Sequence, residues 1–274
     1  MIVSYNFKFE KQQAATVSVL DRGFAYGDGL FETLAFRNSN ILNFKDHLRR
    51  LKTGMYALKF EGVEGLQRDV VKQQLLRLVK KNNIKTDARL KIQVWRKPGG
   101  LYTPHNLSCN ILMMATPLET EPEAMGLKLG FSKEVTLYPS PLSRFKTCNA
   151  LPYVLASIER KQSDCDDLIL TDYRGHVAEC TASNIFWVSK GQVYTPGLKT
   201  GCVAGVTRKN IIKKLRRRGF KVNKVRVSAS TLLSADHVFT SNAAQVAHIC
   251  CIGKTQFAPF EEIHQILQPI VGIR

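Results

Sequence analysis

The chain has 274 residues, 44% of them hydrophobic and 9% aromatic, and its 40 Lys+Arg against 22 Asp+Glu leave a formal net charge of +18. That composition excludes a disordered or fibrous chain and leaves room for one large cored domain or two ordinary ones. The charge admits nucleic acid, an anionic membrane surface or small acidic ligands as partners, and by itself chooses none of them.

In chain order, residues 2–9 and 14–19 alternate apolar and polar side chains, which predicts a strand pair with a polar turn near Glu10–Gln12. Next comes Asp21-Arg22-Gly23-Phe24-Ala25-Tyr26-Gly27-Asp28-Gly29-Leu30-Phe31-Glu32-Thr33, a glycine- and aspartate-bearing loop whose backbone can pass close to a ligand. Its glycine spacing is not the dinucleotide fingerprint. Leu34–Phe36 and Ile41–Leu42 predict a hairpin closed by Asn38-Ser39-Asn40. Asn43 is placed to cap a helix through His47, Leu48 and Leu51, and on pattern alone Arg50 belongs to its solvated face. Residues 66–82 carry apolar positions at helical spacing, and 90–95 and 110–115 read as strands. Arg96 opens the loop Arg96-Lys97-Pro98-Gly99-Gly100-Leu101-Tyr102, where it could meet an anion.

Residues 116–124 are acidic, proline-bearing and without periodicity. They predict a linker between an N-terminal α/β domain (1–115) and a C-terminal one (125–274). Within the latter, Tyr138–Ser143 leads to Arg144-Phe145-Lys146-Thr147-Cys148-Asn149, followed by Leu151, Val154, Leu155 and Ile158 on one face of a helix. A lysine at such a junction can point into a cleft, where desolvation makes its amine nucleophilic, although most lysines are solvated surface charges. Strands follow at 167–171, 177–180, 184–188 and 191–195. Gly201-Cys202-Val203-Ala204-Gly205-Val206-Thr207-Arg208 then turns into a basic helix through residue 217, and a helix opened in this way is equally an anion site or plain turn chemistry. Val238–Ser241 is a strand breaking into Asn242-Ala243-Ala244.

The basic run 209–226 is the strongest argument for nucleic acid. No aromatics interleave as stacking platforms, however, so no nucleic-acid partner is expected. Seven scattered cysteines without metal-ligand spacing predict reduced thiols and no metal. The absence of a leader and of a bilayer-length apolar run predicts a cytoplasmic protein with no membrane partner.

Taken together, DRGFAYGDGLFET, His47-Leu48-Arg49-Arg50-Leu51, Lys146 with Asn149, Glu179 in VAECTASNIF, and AGVTR strongly resemble the class IV aminotransferase family. These are pyridoxal-phosphate enzymes of fold type IV, and the resemblance runs over about residues 4–250. It implies a two-domain α/β (α+β) fold like that of D-amino-acid aminotransferases, with pyridoxal 5'-phosphate between the domains. It also implies a homodimer in which a neighbour's loop completes the site. By position, Lys146 matches the Schiff-base lysine and proton shuttle, and Glu179 the carboxylate on the pyridine nitrogen. Arg50 matches the arginine on the cofactor phosphate, which Val206, Thr207, Ser241 and Asn242 also hold. Tyr26 and Phe31 are expected near the substrate.

Within the family, Thr33 and Ala150 depart from the branched-chain aminotransferase pattern. Leu101 and Thr103 fall where D-amino-acid aminotransferases carry an arginine and a histidine for the substrate carboxylate. Lys146-Thr147-Cys148-Asn149-Ala150-Leu151 and Glu179-Cys180-Thr181-Ala182-Ser183-Asn184-Ile185-Phe186-Trp187 resemble instead the 4-amino-4-deoxychorismate lyases, as do Asn242-Ala243 and Arg96 before Gly99-Gly100. The resemblance thus implies a lyase acting on a small anionic amine, with Arg96 as the candidate for a substrate carboxylate. An aminotransferase is the alternative.

Overall fold

The computed structural model describes residues 1–118 and 126–271, which form two compact units. The first takes the chain up to residue 118 together with Phe145–Asn149, and the second takes the rest. Most of the expected linker lies outside the described residues; Thr116 and Pro117 still belong to a strand.

The first unit begins with β1 (Ile2–Tyr5) and β2 (Lys8–Lys11), joined by a two-residue turn at Asn6 and Phe7. Both turn residues have positive φ, 48° and 65°, the twist that closes a tight hairpin. The expected partner strand at 14–19 and the turn near Glu10–Gln12 are therefore corrected: the chain reverses earlier, and 14–19 runs without strand structure. A short helix α1 (Arg22–Tyr26) follows, with Asp21 as its N-cap and Gly27 in the left-handed region at its end. Then come β3 (Gly29–Arg37), β4 (Asn40–Ile41), α2 (Phe44–Ala57), α3 (Arg68–Lys81), β5 (Ala88–Arg96) and β6 (Cys109–Pro117). Among the described residues these strands make a six-stranded sheet in the order β2-β1-β6-β5-β3-β4.

Alternation along β3 and β5 sends Leu30, Leu34, Leu90, Ile92 and Val94 to one face, where Leu48, Leu51 and Met55 of α2 and Leu75 and Leu78 of α3 cover them. Each such side chain contributes about 1.5–3 kcal/mol relative to exposure. The opposite face, with Phe31, Thr33, Lys91 and Gln93, is only half-buried.

The second unit contains β7 (Leu127–Leu137), α4 (Leu151–Lys161), β8 (Asp167–Asp172), β9 (Val177–Cys180), β10 (Asn184–Ser189) and β11 (Gln192–Pro196). It continues with α5 (Val206–Arg217), β12 (Val222–Val225), α6 (Ala229–Leu233), β13 (His237–Ser241), β14 (Val246–Ile252), β15 (Thr255–Gln256) and α7 (Glu261–Val271). The strands are ordered β12-β11-β10-β13-β14-β7-β8-β9, with β15 on β14. The sheet curls toward closure, since the Val177 N–H donates to the Val227 carbonyl at 2.9 Å. One core on this sheet holds the paired rings of Phe186 and Phe239, stacked at 4.9 Å, and Trp187 is buried in a separate cluster. Helix α4 forms as expected, but its apolar stripe does not face this core. Leu151, Val154, Leu155 and Ile158 are 50–68% exposed, and Ala156 is the buried contact.

Candidate active site

Lys146 is expected in the C-terminal domain, and the structure seats it elsewhere. Strand β4 covers only the far end of β3, leaving the edge at residues 29–31 open. Phe145–Asn149 fills it: the Phe31 N–H donates to the Lys146 carbonyl and the Cys148 N–H to the Gly29 carbonyl, each at 2.8 Å. Phe145 anchors the segment in the first unit's core. Gly29 is required here, because a Cβ would lie 2.5 Å from the Val94 carbonyl and 3.1 Å from Cys148 Sγ. The Lys146 ammonium then stands 4.6 Å from the centre of the Phe31 ring.

Sequence reasoning missed Lys91, whose ammonium lies 5.5 Å from the centre of the same ring. Strand alternation in a long charged stretch gave no hint that this half-buried lysine would share a ring with Lys146. Among the described residues no carboxylate comes within 4.0 Å of its nitrogen.

Arg50 is not a solvated residue. Its side chain is 10% exposed and bonds to buried Glu32, the next residue along β3 from Phe31 and therefore on the opposite face. His47 Nδ1 lies 2.7 Å from the same carboxylate. Arg96 corrects an expectation. It is buried, and it donates to Asp28 Oδ2 at 2.9 Å and to the Leu58 carbonyl at 2.6 Å, with its guanidinium over the Phe60 ring. Asp28 also holds Arg22 at 2.9 Å, and Arg22 in turn donates to the carbonyls of Gly100 and Leu101. Arg96 is thus held within the fold by Asp28 and the Leu58 carbonyl, not at the tip of an open loop. Tyr26 is exposed beside this node, under the Arg22 guanidinium and against Tyr102.

In the second unit, Glu179 is buried on β9, and the Tyr153 hydroxyl donates to its Oε1 at 2.7 Å. The Val203 N–H donates to both carboxylate oxygens at 3.2 Å. Register pairs Asn184 with Ser241 at the ends of β10 and β13, and the Asn184 amide donates to the Ser241 carbonyl at 2.7 Å. Beside them Gly205 begins α5 without a side-chain cap, followed by buried Val206 and Thr207. A Cβ on Gly205 would sit 2.0 Å from Asn184 Oδ1, so the approach of α5 to this corner needs glycine. Asn242 shapes the next turn, its Oδ1 accepting from the N–H groups of Ala244 and Gln245. A helix amino end without a side-chain cap, with Asn184 against Gly205, suits a phosphate dianion, and a buried carboxylate suits a protonated ring nitrogen.

Burial pushes the Cys148 and Cys202 thiols up to about 11, and Cys180 is raised as well, so these cysteines stay neutral and unreactive. Among the described residues no His, Cys, Asp and Glu cluster could hold a metal, and no helix is long and apolar enough to cross a membrane.

The first unit carries a lysine on an aromatic ring, and the second carries a helix amino end without a side-chain cap and a buried carboxylate, each of a kind that a pyridoxal-phosphate enzyme uses. Residues 29–250 match the family described as Amino-transferase class IV, and the chain belongs to that family, whose cofactor is pyridoxal 5'-phosphate. The chain is 27% identical over 228 residues to the aminodeoxychorismate lyase of Vibrio harveyi, covering 81% of this chain and 82% of that protein. It is 27% identical over 253 residues to the D-alanine aminotransferase of Listeria monocytogenes, covering 88% and 84%. The branched-chain amino acid aminotransferase of Escherichia coli superposes with a TM-score of 0.88 at 22% identity, covering 99% and 93%. That likeness establishes the expected α+β fold.

Proposed function

We propose that the protein is a 4-amino-4-deoxychorismate lyase, converting aminodeoxychorismate to 4-aminobenzoate and pyruvate for folate synthesis. The carrying observation is the loop after β5. Where D-amino-acid aminotransferases clasp a carboxylate, this chain has Leu101, 77% exposed, and exposed Thr103. The stretch around Glu179, E-C-T-A-S-N-I-F-W, keeps the lyase pattern. Lys91 replaces Arg96 as the residue assigned to a substrate carboxylate.

When bound, pyridoxal phosphate supplies an electron sink for the bond-breaking carbon. By their match to the family's positions, Arg50, Val206, Thr207, Ser241 and Asn242 would hold its phosphate, and Glu179 would hold its ring nitrogen. Lys146 Nζ removes the proton from the amine-bearing carbon of the substrate. The carbon–oxygen bond at the neighbouring ring carbon would then break, the ring would become aromatic, and the released enolpyruvate would take up a proton at its methylene carbon to become pyruvate. Phe31 and Tyr26 line the substrate side.

We also read the chain as a homodimer, on the support of the exposed apolar stripe of α4. The deciding assay gives the cofactor-loaded protein aminodeoxychorismate and measures both products. Equal amounts of 4-aminobenzoate and pyruvate are expected. Amino transfer to a keto acid without either product would overturn the reading in favour of an aminotransferase, the activity named for the Listeria relative.

A further inference from the structure

We propose that Tyr153 is a positioning residue that biases the proton shared between Glu179 and the cofactor's ring nitrogen onto the nitrogen. The inference rests on the assignment of Glu179 to that nitrogen and goes beyond it.

A buried carboxylate beside a pyridine nitrogen shares one proton with it, either as carboxylate and pyridinium or as carboxylic acid and neutral pyridine. Burial in apolar surroundings favours the second, because it penalises charge. This chain surrounds Glu179 with groups that favour the first. The Tyr153 hydroxyl, on the first turn of α4, reaches Oε1 at 2.7 Å, the length of a charge-assisted bond. The Val203 N–H adds a bifurcated contact to both oxygens. A donor to the ionised form stabilises that form. Burial and the neighbouring Glu179 charge hold the Tyr153 phenol far above its usual range, so it remains a donor at every working pH.

A second group acts in the same direction. Arg208, buried on α5, is fixed by Thr195 Oγ1 at 3.1 Å and the Pro196 carbonyl at 2.5 Å, and its charge attracts that of Glu179. Tyr153 therefore does more than fill space. It makes Glu179 a weaker base than a bare buried carboxylate, and the ring nitrogen keeps the proton that makes the cofactor an effective electron sink.

Tyr153→Phe removes one hydroxyl with no loss of packing volume, and thermal melting checks that the variant is folded. Wild-type and variant proteins are loaded with pyridoxal phosphate labelled with 15N in the ring. The ring 15N resonance of the wild type is expected at the pyridinium end across neutral pH, with its one-bond proton coupling. In Tyr153→Phe it is expected to move toward neutral pyridine and to lose that coupling. A resonance unchanged by the substitution, in proteins that both show the visible band of lysine-bound cofactor, overturns the role of Tyr153 alone. Absence of that band from the wild type overturns the cofactor assignment beneath it as well.

Discussion

Arg50 grips Glu32 with two prongs, Nε to Oε1 at 2.7 Å and Nη2 to Oε2 at 2.6 Å, and Glu32 is 1% exposed. The fork fixes the guanidinium's plane, which is what an arginine assigned to a phosphate requires. Burial alone would raise the Glu32 pKa, but Arg50 and His47 more than offset it and hold the carboxyl below its ordinary value. A depressed folded pKa means the contribution is full above the unfolded value of about 4.3 and is lost as pH falls through the folded value. Glu32→Gln is expected to cost about 3–5 kcal/mol in urea unfolding at pH 7, because it leaves a buried charge uncompensated. The gap between wild type and variant should close in acid, as the wild-type carboxyl takes up its proton. A gap independent of pH would show that Glu32 acts through packing and not through its charge.

Arg96 and Lys91 are separable by experiment. Arg96→Met removes a partner of Asp28 and is expected to cost about 3 kcal/mol in stability. At about 2–4 °C per kcal/mol that is a clear fall in melting temperature. Lys91→Met should leave melting unchanged and raise KM for the lyase substrate ten- to a hundredfold, on the order of one lost charge-assisted hydrogen bond. The reverse pattern would restore Arg96 as the anion-binding residue.

How much of this was legible in the sequence depended on how local the cause was. The periodicity of α2 and α3 reports the face each buries, and the helix boundaries follow it. The β3–β4 hairpin was legible because Asn38 and Ser39 supply its turn. Alternation at 14–19 misled because period two also occurs in an extended exposed segment with no strand beside it. Arg96 misled for a different reason: its partners Asp28, Leu58 and Lys59 are remote in sequence, and only the tertiary fold shows that they enclose it. The bond of Tyr153 to Glu179 spans 26 residues and leaves no trace in local pattern. The family resemblance supplied Glu179, which spacing alone would have left as a surface acid.

Gly205 has φ −56°, which any residue adopts, so only space argues for glycine. In Gly205→Ala the new methyl meets Asn184 Oδ1, and the Asn184 amide cannot yield without releasing the Ser241 carbonyl. The variant is expected to bind pyridoxal phosphate at least about tenfold more weakly, a cost of about 1.4 kcal/mol or more. The apo protein should lose only about 1–3 kcal/mol of stability to overpacking. Equilibrium dialysis of the cofactor measures the first and thermal melting the second. Wild-type affinity in the variant would remove this corner from the phosphate site.

The stripe of Leu151, Val154, Leu155 and Ile158 predicts a second assembly property. Sedimentation should show a dimer for the wild type. Leu155→Glu with Ile158→Glu should give monomers with helix content unchanged, because both positions face outward and glutamate is a good helix former. A wild type that sediments as a monomer at all concentrations would refute the homodimer.

The last prediction concerns α7, which packs its buried Ile263 and Leu267 against the core that α5 shares. His264 on this helix lies edge-on to His248 of β14, with ring centres 6.4 Å apart, and its Nε2 is buried without a hydrogen-bond partner among the described residues. Nearby His237 stacks on Phe260 with Nδ1 2.8 Å from the Ala258 carbonyl. Burial lowers the pKa of His248, helped by the charges of His264 and His237. Burial also lowers that of His264, against the opposing pull of Glu261. Both rings therefore hold a proton less readily in the fold than in the unfolded chain. Their contribution is complete above the unfolded value of about 6.5 and is lost as pH falls through the lower folded values. Amide exchange in α7, corrected for its intrinsic pH dependence, should accelerate relative to α2 between pH 7 and 5, a window on the order of the histidine range. His248→Gln with His264→Gln should flatten that response, since neither replacement titrates. An acid response that persists in the double variant would place its origin in other groups, the carboxylates Glu261 and Glu262 at the start of the helix first among them.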